Sequence, residues 1–446
     1  MLDELAALAA SRSAVVLDDD PTGTQTLRDV PVLMAWSASA IARYLDEPVV
    51  FLSTNSRSLE VSDAIALTRA AVAEALAAAR KRGRAISLIS RADSTLRGHF
   101  PAETKAIAAA ADMPDARVLL APFFVEGGRV TVGDVHYLER DGIRVPVAET
   151  EFARDRSFGY RSSNLRGWVI EKYGAAGLPP PPLASLDLAT VRGGGPAAIA
   201  RLLLDAPANA VVIANAETHT DIEIVALGAL HAEEAGLPLV ARVAASYVRA
   251  RAGRSPAPTL APGELGVSGP GLVVVGSHVD TTTRQLEHLR QQLASQLDFR
   301  EITVASLLSR AETTIAEVAR TAALALGSGR SPVVLTERTR AEMDLAQGRA
   351  LSEALAGIVS RLEVRPAWVL AKGGITSSDV ARIGLGMREA RVAGQLLPGV
   401  PVWIGLQGSR WPGMPLVVFP GNVGGTDALT NAVELLLDDH ASVARG

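Results

Sequence analysis

The chain of 446 residues contains no cysteine. This absence excludes disulfide bonds, catalytic thiolates and cysteine-based metal sites together, and it fits a reducing cytoplasm. The sequence also has no apolar run that approaches the roughly 20 residues needed to span a bilayer. Its first residues include Asp3 and Glu4, whereas a signal peptide begins with basic residues. From these absences we expect a cytoplasmic protein without a membrane partner.

An excess of positive charge is missing as well, because the formal net charge is −4 at pH 7. Proteins that bind duplex nucleic acids are normally basic, so we expect no nucleic-acid partner. The sequence lacks G-x-x-x-x-G-K-[ST], G-x-S-x-G and H-E-x-x-H, and it has no G-x-G-x-x-G after the first predicted strand. These absences argue against P-loop NTPases, α/β-hydrolases, zincins and NAD-dependent dehydrogenases. The seven histidines are scattered and indicate no metal site.

What the sequence does contain is a repeated alternation of short apolar runs and helical patterns. Continuous apolar runs are typical of strands that are buried on both faces of a parallel sheet. The helical patterns between them supply the crossovers of βαβ units. We therefore predict two α/β domains, each a mainly parallel sheet flanked by helices. The predicted strands are 14–17, 49–52, 85–89, 117–121, 210–214, 272–275, 333–335, 368–371, 400–404 and 416–419.

Domain borders are predicted from segments that are rich in proline and glycine. Residues 251–271, RAGRSPAPTLAPGELGVSGPG, have no sustained periodicity and are interpreted as a linker. The N-terminal domain then spans 1–250 and the C-terminal domain 272–446. Residues 177–188 contain a run of prolines and are predicted to form a surface loop. Residues 124–166 are predicted to be an excursion over a site or a long connection.

Ligands of open α/β sheets bind at the carboxyl ends of the strands, so the residues that follow each apolar run are informative. In the N-terminal half these residues combine acids, hydroxyls and arginines, as in DDDPTGT (18–24) and SRADSTLRGH (90–99). Arg57, Arg91 and Arg97 could hold a planar carboxylate or a phosphate through forked hydrogen bonds. The aspartates and hydroxyl groups beside them would suit the hydroxyls of a polyol.

Glycine-rich turns follow the predicted strands of the C-terminal half. They are GSHVDTTTRQ (276–285), KGGITSSD (372–379) and PGNVGGTD (420–427), and each leads toward a helical pattern. Bare backbone N–H groups in such turns form cradles for phosphate groups. A single turn of this kind is common in any α/β protein, but three in one domain indicate a phosphate-containing ligand.

At these residues the sequence resembles the four-carbon acid sugar kinase family. The family's Asp-Asp-x-Thr-Gly signature matches Asp19 to Gly23, and its Asp-Ser-Thr-Leu-Arg-Gly signature matches Asp93 to Gly98. In the C-terminal half, Gly276-Ser277, Lys372 to Thr376 and Pro420 to Gly424 match the nucleotide-binding segments. The resemblance implies that the first domain binds a sugar acid, such as threonate, erythronate or a 3-oxo-tetronate, and that the second binds ATP.

The reaction that the resemblance implies is an ATP- and Mg²⁺-dependent phosphorylation, in carbohydrate catabolism, of the hydroxyl at the far end of a short sugar acid. Asp20, with Asp19 beside it, would orient or deprotonate that hydroxyl. Arg91 and Arg97 are candidates for the substrate carboxylate or the transferred phosphoryl group. The implied catalytic residues are Asp19, Asp20 and Arg97; the substrate-binding residues are Thr22, Arg57, Arg91, Asp93 and Ser94. The implied nucleotide-binding residues are Ser277, Gly373, Gly374, Thr376, Gly421, Asn422, Val423 and Gly424, and no metal ligand is assigned.

Several alternatives stay open at this point. Asp18, Pro21 and Arg91 depart from the commoner family pattern, so a branched or oxidised acid is a second interpretation of the substrate. Asp18 could cap the following turn, pair with an arginine or change the substrate. Lys372 could meet a phosphate or solvent. A sugar-acid-binding protein without catalysis and a dehydrogenase with a divergent dinucleotide site are the rival functions, and a homo-oligomer is an open alternative.

Overall fold

The computed structural model describes residues 1–140, 142–267, 269–338 and 345–437. Backbone contacts divide the chain into two units. The first unit comprises Met1–Thr26 and Ala35–Pro256, and the second comprises Leu27–Met34 and Ala257–Gly446. A short segment of the N-terminal half is therefore part of the second unit, an arrangement that the sequence pattern did not indicate because the segment carries only a three-residue strand.

Strands and helices alternate through most of the first unit, as the apolar runs predict. Its strands are β1 (Arg12–Asp18), β3 (Val49–Ser53), β4 (Ala85–Arg91), β5 (Arg117–Ala121), β6 (Arg129–Val132), β7 (Val135–Arg140), β8 (Ile143–Pro146), β9 (Leu183–Leu186), β10 (Val211–Ala214) and β11 (Leu239–Val243). Its helices are α1 (Leu2–Ser11), α2 (Ala38–Ala42), α3 (Val61–Arg82), α4 (Ala102–Ala110), α5 (Leu165–Ala175), α6 (Gly195–Asp205), α7 (His219–Glu234) and α8 (Ala245–Arg251).

The main sheet of this unit has the strand order β3-β1-β4-β11-β5-β10-β9, and every pairing in it is parallel. The predicted mainly parallel α/β fold is thereby confirmed. The strands are buried on both faces because helices cover them, which explains their continuous apolar runs. On one face Phe100 stacks on Trp168, with ring centroids 4.8 Å apart, within an apolar cluster that includes Val211 and Ile213.

A switch point lies between β1 and β4, which are neighbours in this sheet. The chain goes from β1 to β3 on one side of the pair, and from β4 to β5 on the other side. The connections thus diverge and leave a crevice outside the carboxyl ends of the two strands. The aspartates at the end of β1 and the segment that follows β4 lie at this crevice.

Two parts of the first unit differ from the sequence interpretation. Residues 124–166 contain a small antiparallel sheet, β6-β7-β8, which the weak periodicity did not reveal. The predicted surface loop at 177–188 is wrong for Leu183–Leu186, because these residues form the edge strand β9 beside β10. Only one of the four side chains of β9 is fully buried, so its apolar signal is weak.

The second unit combines helices with a mixed sheet. Its strands are β2 (Pro31–Leu33), β12 (Leu272–Val275), β13 (Leu297–Ile302), β14 (Ser331–Thr336), β15 (Val369–Lys372), β16 (Glu389–Leu397), β17 (Val400–Gly405) and β18 (Pro415–Phe419). Its helices are α9 (Asp280–Leu293), α10 (Val304–Ser309), α11 (Ala311–Gly327), α12 (Leu345–Arg361), α13 (Gly374–Asp379) and α14 (Ala428–Leu437).

The sheet of the second unit runs β13-β14-β12-β15-β18-β17-β16-β2. The pairings from β13 to β18 are parallel, whereas β17, β16 and β2 add antiparallel strands. The predicted linker, 251–271, is irregular over most of its length, but Leu260 and Val267 are buried in the core of this unit. Within the described part of the chain, no helix combines the length and apolarity that crossing a bilayer requires.

A second switch point lies between β12 and β15. From β12 the chain proceeds to β13 on one side, and from β15 it proceeds to the far side through β16 to β18. The crevice at the carboxyl ends therefore opens beside the turns that follow β12 and β15. The turn that follows β18 lies next to them, because β18 is the neighbour of β15.

Candidate functional site

The three aspartates at the carboxyl end of β1 have different surroundings. Asp20 caps the 3₁₀ turn Pro21–Thr24, since its Oδ1 accepts a hydrogen bond of 2.9 Å from the backbone N–H of Thr22. Asp18 lies beneath that turn, and a Cβ added to Gly23 would be only 2.0 Å from its Oδ1. The interpretation of Asp18 as the cap is therefore wrong, because the capping residue is Asp20.

Asp18 pairs instead with Arg91. The two residues face each other in the register of β1 and β4, and Arg91 Nη1 lies 3.2 Å from Asp18 Oδ1. The Asp18 side chain is fully buried, and this burial raises its pKa to about 8, with Arg91 offsetting the effect only in part. The same Nη1 lies 3.5 Å from Asp19 Oδ1 and donates to the backbone oxygen of Asp20. Arg91 thus holds the aspartate turn against the sheet.

Arg57, after β3, connects the aspartates with the segment that follows β4. Its Nη2 lies 2.5 Å from Asp20 Oδ2 and 3.8 Å from Asp19 Oδ1. Its Nη1 lies 3.4 Å from Asp93 Oδ1. One guanidinium group therefore offsets the repulsion among three carboxylates, which explains how they can lie close together in a partly dry crevice.

The electrostatic surroundings separate Asp19 from Asp20. Burial raises the pKa of Asp19, and Arg57 and Arg91 offset it only in part. Burial alone would also raise the pKa of Asp20, but Arg57, Arg91 and the hydrogen bonds from Thr22 together outweigh it and hold this pKa below its usual value. Asp20 is also the more exposed of the two, with 14% of its side chain accessible against 2% for Asp19. Of these two residues, Asp20 is therefore the one that is ionised and more accessible to a ligand.

The segment after β4 is organised by Asp93 and Arg97. Arg97 Nε donates to Asp93 Oδ2 over 2.7 Å, and Thr95 Oγ1 donates to the same oxygen. Burial would raise the pKa of Asp93, but Arg97 and Arg57 hold it well below its usual range. Arg97 also lies over the ring of Phe152. The structure brings Thr22, Arg57, Arg91, Asp93 and Arg97 together with the aspartates of β1.

Ser94 lies beside this cluster and is buried. Its carbonyl accepts a 2.8 Å hydrogen bond from His136 Nε2, so the small sheet β6-β7-β8 supports the segment from behind. His136 is fully buried, and burial lowers its pKa to about 4. His99 is also engaged locally, because its Nε2 bonds the backbone oxygens of Ser56 and Leu59.

Sequence reasoning missed Glu103 and Arg242. Glu103 accepts a 2.5 Å hydrogen bond from Ser56 Oγ, and burial, with Asp19 second, raises its pKa to about 7. Arg242 is buried at the end of β11. Glu103 lies in a helical pattern, where an acid usually faces solvent. A charged residue inside the apolar run Leu239–Val243 was the one available signal for Arg242.

The turns of the second unit pack tightly against each other. The backbone N–H groups of Gly276 and Ser277 both donate to Lys372 O, over 3.2 Å each. A Cβ added to Gly276 would lie 2.2 Å from Thr376 Oγ1, and one added to Gly421 would lie 2.6 Å from Ser277 Oγ. Glycine is needed at these positions because the three chain segments meet there.

The loop that follows β18 is held by its carbonyl groups. Lys372 Nζ donates to Pro420 O over 2.8 Å and to Gly421 O over 3.4 Å. Thr282 Oγ1 also donates to Gly421 O, and Gln285 Nε2 donates to the carbonyls of Val423 and Gly425. In a trans peptide the C=O and the following N–H point in opposite directions. The N–H groups of Gly421, Asn422 and Gly424 therefore face away from these anchors, as an anion cradle requires.

Lys372 itself does not meet solvent, because it is fully buried, and that alternative is wrong. Its ammonium group lies 3.9 Å from the centroid of the Phe419 ring, and burial lowers its pKa well below the ordinary value. Sequence reasoning also missed Arg338, whose Nη1 donates to Ser277 O over 2.5 Å, and the anchoring roles of Thr282 and Gln285. Gly373 has a φ of +117° and Gly374 begins α13, next to Thr376.

Comparison of the chain with models of known protein families identifies the family to which it belongs. A model described as a sugar-binding N-terminal domain matches residues 14–251, and a model described as a nucleotide-binding C-terminal domain matches residues 272–429. Together they match most of the chain, in the order of its two halves. The chain belongs to the four-carbon acid sugar kinase family, as the sequence motifs predict.

One curated relative is a D-threonate kinase from Bordetella bronchiseptica, which is 28% identical over 444 residues, 94% of this chain and 96% of the relative. A provisionally named tRNA synthase from Salmonella typhimurium LT2 has a similar structure, with a TM-score of 0.66, 19% identity and coverage of 94% of this chain and 98% of that one. Haemophilus influenzae protein HI1011 gives a TM-score of 0.62, 17% identity and coverage of 95% and 100%. At these identities the two structures show the fold alone.

The second unit fits a nucleotide better than a dedicated metal centre. The close glycine contacts and the N–H groups that point away from their anchors are features that a main-chain cradle for phosphates would need. Among the described residues there is no group of three or more acids or histidines that could hold a metal ion. Mg²⁺ usually keeps several waters and is bound through substrate phosphates, so it would enter with the nucleotide.

Proposed function

We propose that this protein is an ATP-dependent kinase that phosphorylates a terminal hydroxyl of a short sugar acid of about four carbons. The observation that carries the proposal is the ionised Asp20 carboxylate, which Arg57 holds at the switch point of the first unit. Family membership and the D-threonate kinase relative support the same reaction class. A cytoplasmic location goes with this proposal, because ATP is available there.

Asp20 would accept a hydrogen bond from the attacking hydroxyl and receive its proton during transfer. The lowered pKa of Asp20 makes it a weak base, which suits a reaction whose transition state is loose and whose nucleophile needs orientation more than early deprotonation. Arg97 would stabilise charge on the transferred group, while Thr22, Arg57, Arg91, Asp93 and Ser94 would shape the acid site.

The second unit would hold ATP through main-chain and hydroxyl contacts. The N–H groups of Gly421, Asn422 and Gly424 would face the phosphates, beside Ser277 and Gly373. Gly374, Thr376 and Val423 complete the proposed nucleotide-binding set. Mg²⁺ bound with ATP would neutralise charge on the phosphates.

The test is a coupled assay for ADP, with ATP, Mg²⁺ and a panel of four- and five-carbon sugar acids that includes threonate, erythronate and 3-oxo-tetronate. We expect ADP to form with at least one acid and not with the matched neutral polyols. Calorimetry with ADP tests the nucleotide site separately. If no acid of the panel gives ADP and no nucleotide binds, the proposal is overturned. If only a branched acid gives ADP, the proposed reaction stands and the proposed substrate changes to a branched acid.

A further inference from the structure

Four arginines gather around the aspartates of the first unit, and three of them are already paired. Arg57, Arg91 and Arg97 each have a carboxylate oxygen within 4.0 Å. Arg242 is the fourth, and no acid among the described residues comes within that distance of its guanidinium group. It is therefore the cation of this cluster with no direct carboxylate partner.

Arg242 is nevertheless 3% exposed. Its Nη2 donates to Arg97 O over 3.3 Å, and its Nη1 is buried without a hydrogen-bond partner. Its guanidinium carbon lies 5.2 Å from the centroid of the Phe100 ring and 5.9 Å from that of Trp168. Aromatic rings attract the cation but do not replace a hydrogen-bonded anion, and a buried charge without one is costly.

The position of Gly98 places Arg242 at the crevice. A Cβ added to Gly98 would lie 3.5 Å from Arg242 Nη2 and 3.1 Å from Asp19 Oδ2. Asp19 Oδ2 is itself buried without a hydrogen-bond partner. The unmatched donor and the unmatched acceptor thus belong to two side chains on the same side of Gly98, within the predicted sugar-acid site.

We propose that Arg242 binds the carboxylate of the sugar acid, a role that rests on the proposed function for the identity of the ligand. Arg57, Arg91 and Arg97 each already face an aspartate, whereas Arg242 faces no carboxylate among the described residues, so a bound carboxylate would give it the partner that it lacks. Of the acids near Arg242, Asp93 is ionised, because Arg97 and Arg57 hold its pKa well below its usual range. Its charge repels a dianionic phosphoryl group more strongly than a monoanionic carboxylate, so the carboxylate is the favoured ligand group.

The test measures binding by calorimetry in the absence of nucleotide. The probes are D-threonate, erythronate and 3-oxo-tetronate, with threitol as the neutral counterpart and inorganic phosphate as the competing anion. We expect R242Q to weaken binding of the acid by about 10- to 100-fold, because a charge-assisted hydrogen bond is lost, while threitol and phosphate change less than about twofold. R242K keeps the charge and should lose less than R242Q.

The matched control is R251Q. Arg251 is also fully buried in the first unit, but it donates to Arg12 O and Ser87 Oγ, at the amino ends of β1 and β4. This variant reports the general effect of removing a buried guanidinium group. An acid-binding loss in R242Q no larger than in R251Q, or an equal loss for threitol, overturns the proposal.

A structure of the wild-type protein with bound acid covers the case in which R242Q does not fold. The proposal expects the carboxylate within about 3.2 Å of the Arg242 guanidinium group, and a carboxylate bound elsewhere contradicts it. Failure of the wild-type protein to bind any acid of the panel overturns it as well. If acid binding depends on Arg242 but no ADP forms, the kinase reaction is contradicted and the role of Arg242 stands. If ADP forms but acid binding does not depend on Arg242, the role of Arg242 is contradicted and the kinase reaction stands.

Discussion

The two units place their polar residues at the same topological position but build it from different material. At the switch point of the first unit, Asp18, Asp20 and Asp93 are paired with arginines inside a partly dry crevice. At the switch point of the second unit, glycines and backbone carbonyls meet, and the lysine is buried in contacts to the main chain.

Under the proposed function, the difference follows from the ligand that each site would have to distinguish. Forked guanidinium groups and carboxylates have defined directions, so they can discriminate among small polyhydroxy acids that differ by one group. A main-chain cradle recognises phosphate groups by shape and partial charge, and it leaves few charged groups in a dry place. Recognition in the first unit would therefore depend mainly on charged side chains, and recognition in the second mainly on the shape of the main chain.

The largest expected effect is on the first unit. Asp20→Asn should reduce turnover by about 10²- to 10⁴-fold, because the hydroxyl-orienting carboxylate is lost. Asparagine retains an acceptor for the Thr22 N–H, so the turn should persist. The measurement is the ADP assay, with ADP affinity measured in parallel and Asp205→Asn, an exposed change on α6, as the control. Normal turnover in the Asp20 variant would remove its role.

A change in the second unit should have the complementary effect. Gly373→Ala introduces a side chain at a φ of +117° and 3.3 Å from Ser277 Cβ. Strain of about 1–3 kcal/mol at this turn should weaken ADP binding roughly tenfold or more and leave acid binding unchanged. Gly348→Ala is the matched control, since a Cβ there meets nothing within 4 Å in helix α12. Equal ADP affinity in both variants would contradict the cradle.

Lys372→Met tests whether Lys372 stabilises the loop that follows β18 through its hydrogen bond to Pro420 O. The change leaves Pro420 O without its donor, so we expect a loss of about 1–3 kcal/mol in the free energy of unfolding and a roughly three- to tenfold weaker ADP affinity. Denaturant unfolding and calorimetry measure the two quantities, with exposed Lys81→Met as the control. A drop in affinity without a loss of stability would instead make Lys372 a phosphate ligand.

The smallest effect concerns pH. Burial raises the pKa of folded Asp18 to about 8 from its ordinary value of 3.8, so the folded state binds an extra proton between about pH 4 and pH 8. The free energy of unfolding should therefore fall as the pH rises through this window. Asp18→Asn should make that fall shallower, and a difference of about 1 kcal/mol would shift Tm by about 2–4 °C.

The control for the pH experiment is again Asp205→Asn, which should keep the wild-type slope. Glu103, whose pKa burial raises to about 7, contributes a fall of the same sign below pH 7 and should remain in both variants. Parallel slopes in the wild type and in Asp18→Asn would show that Asp18 ionises without cost, and the contrast between the two units would lose one of its supports.

Much of the fold was predictable because continuous apolar runs depend on local composition alone. The run at 14–17 and the run at 272–275 are β1 and β12, and the parallel α/β class is confirmed. The edge strand β9 and the hairpin strand β8 were missed, because strands with one face at the surface carry a weaker apolar signal. The hairpin strands β6 and β7 were missed because polar residues such as Thr131 and His136 interrupt their apolar residues. The family was predictable from five ordered motifs and is confirmed. The roles of the individual site residues stay predictions.

The sequence by itself determined the strand–turn–helix order, the acids and arginines of one half and the glycine-rich turns of the other. The tertiary structure decided which charges meet. It paired Asp18 with Arg91 across neighbouring strands, gave the cap to Asp20, turned Lys372 inward and left Arg242 without a carboxylate partner. The physical reason is that ion pairing and burial depend on strand register and sheet order, and residues far apart in the chain set both.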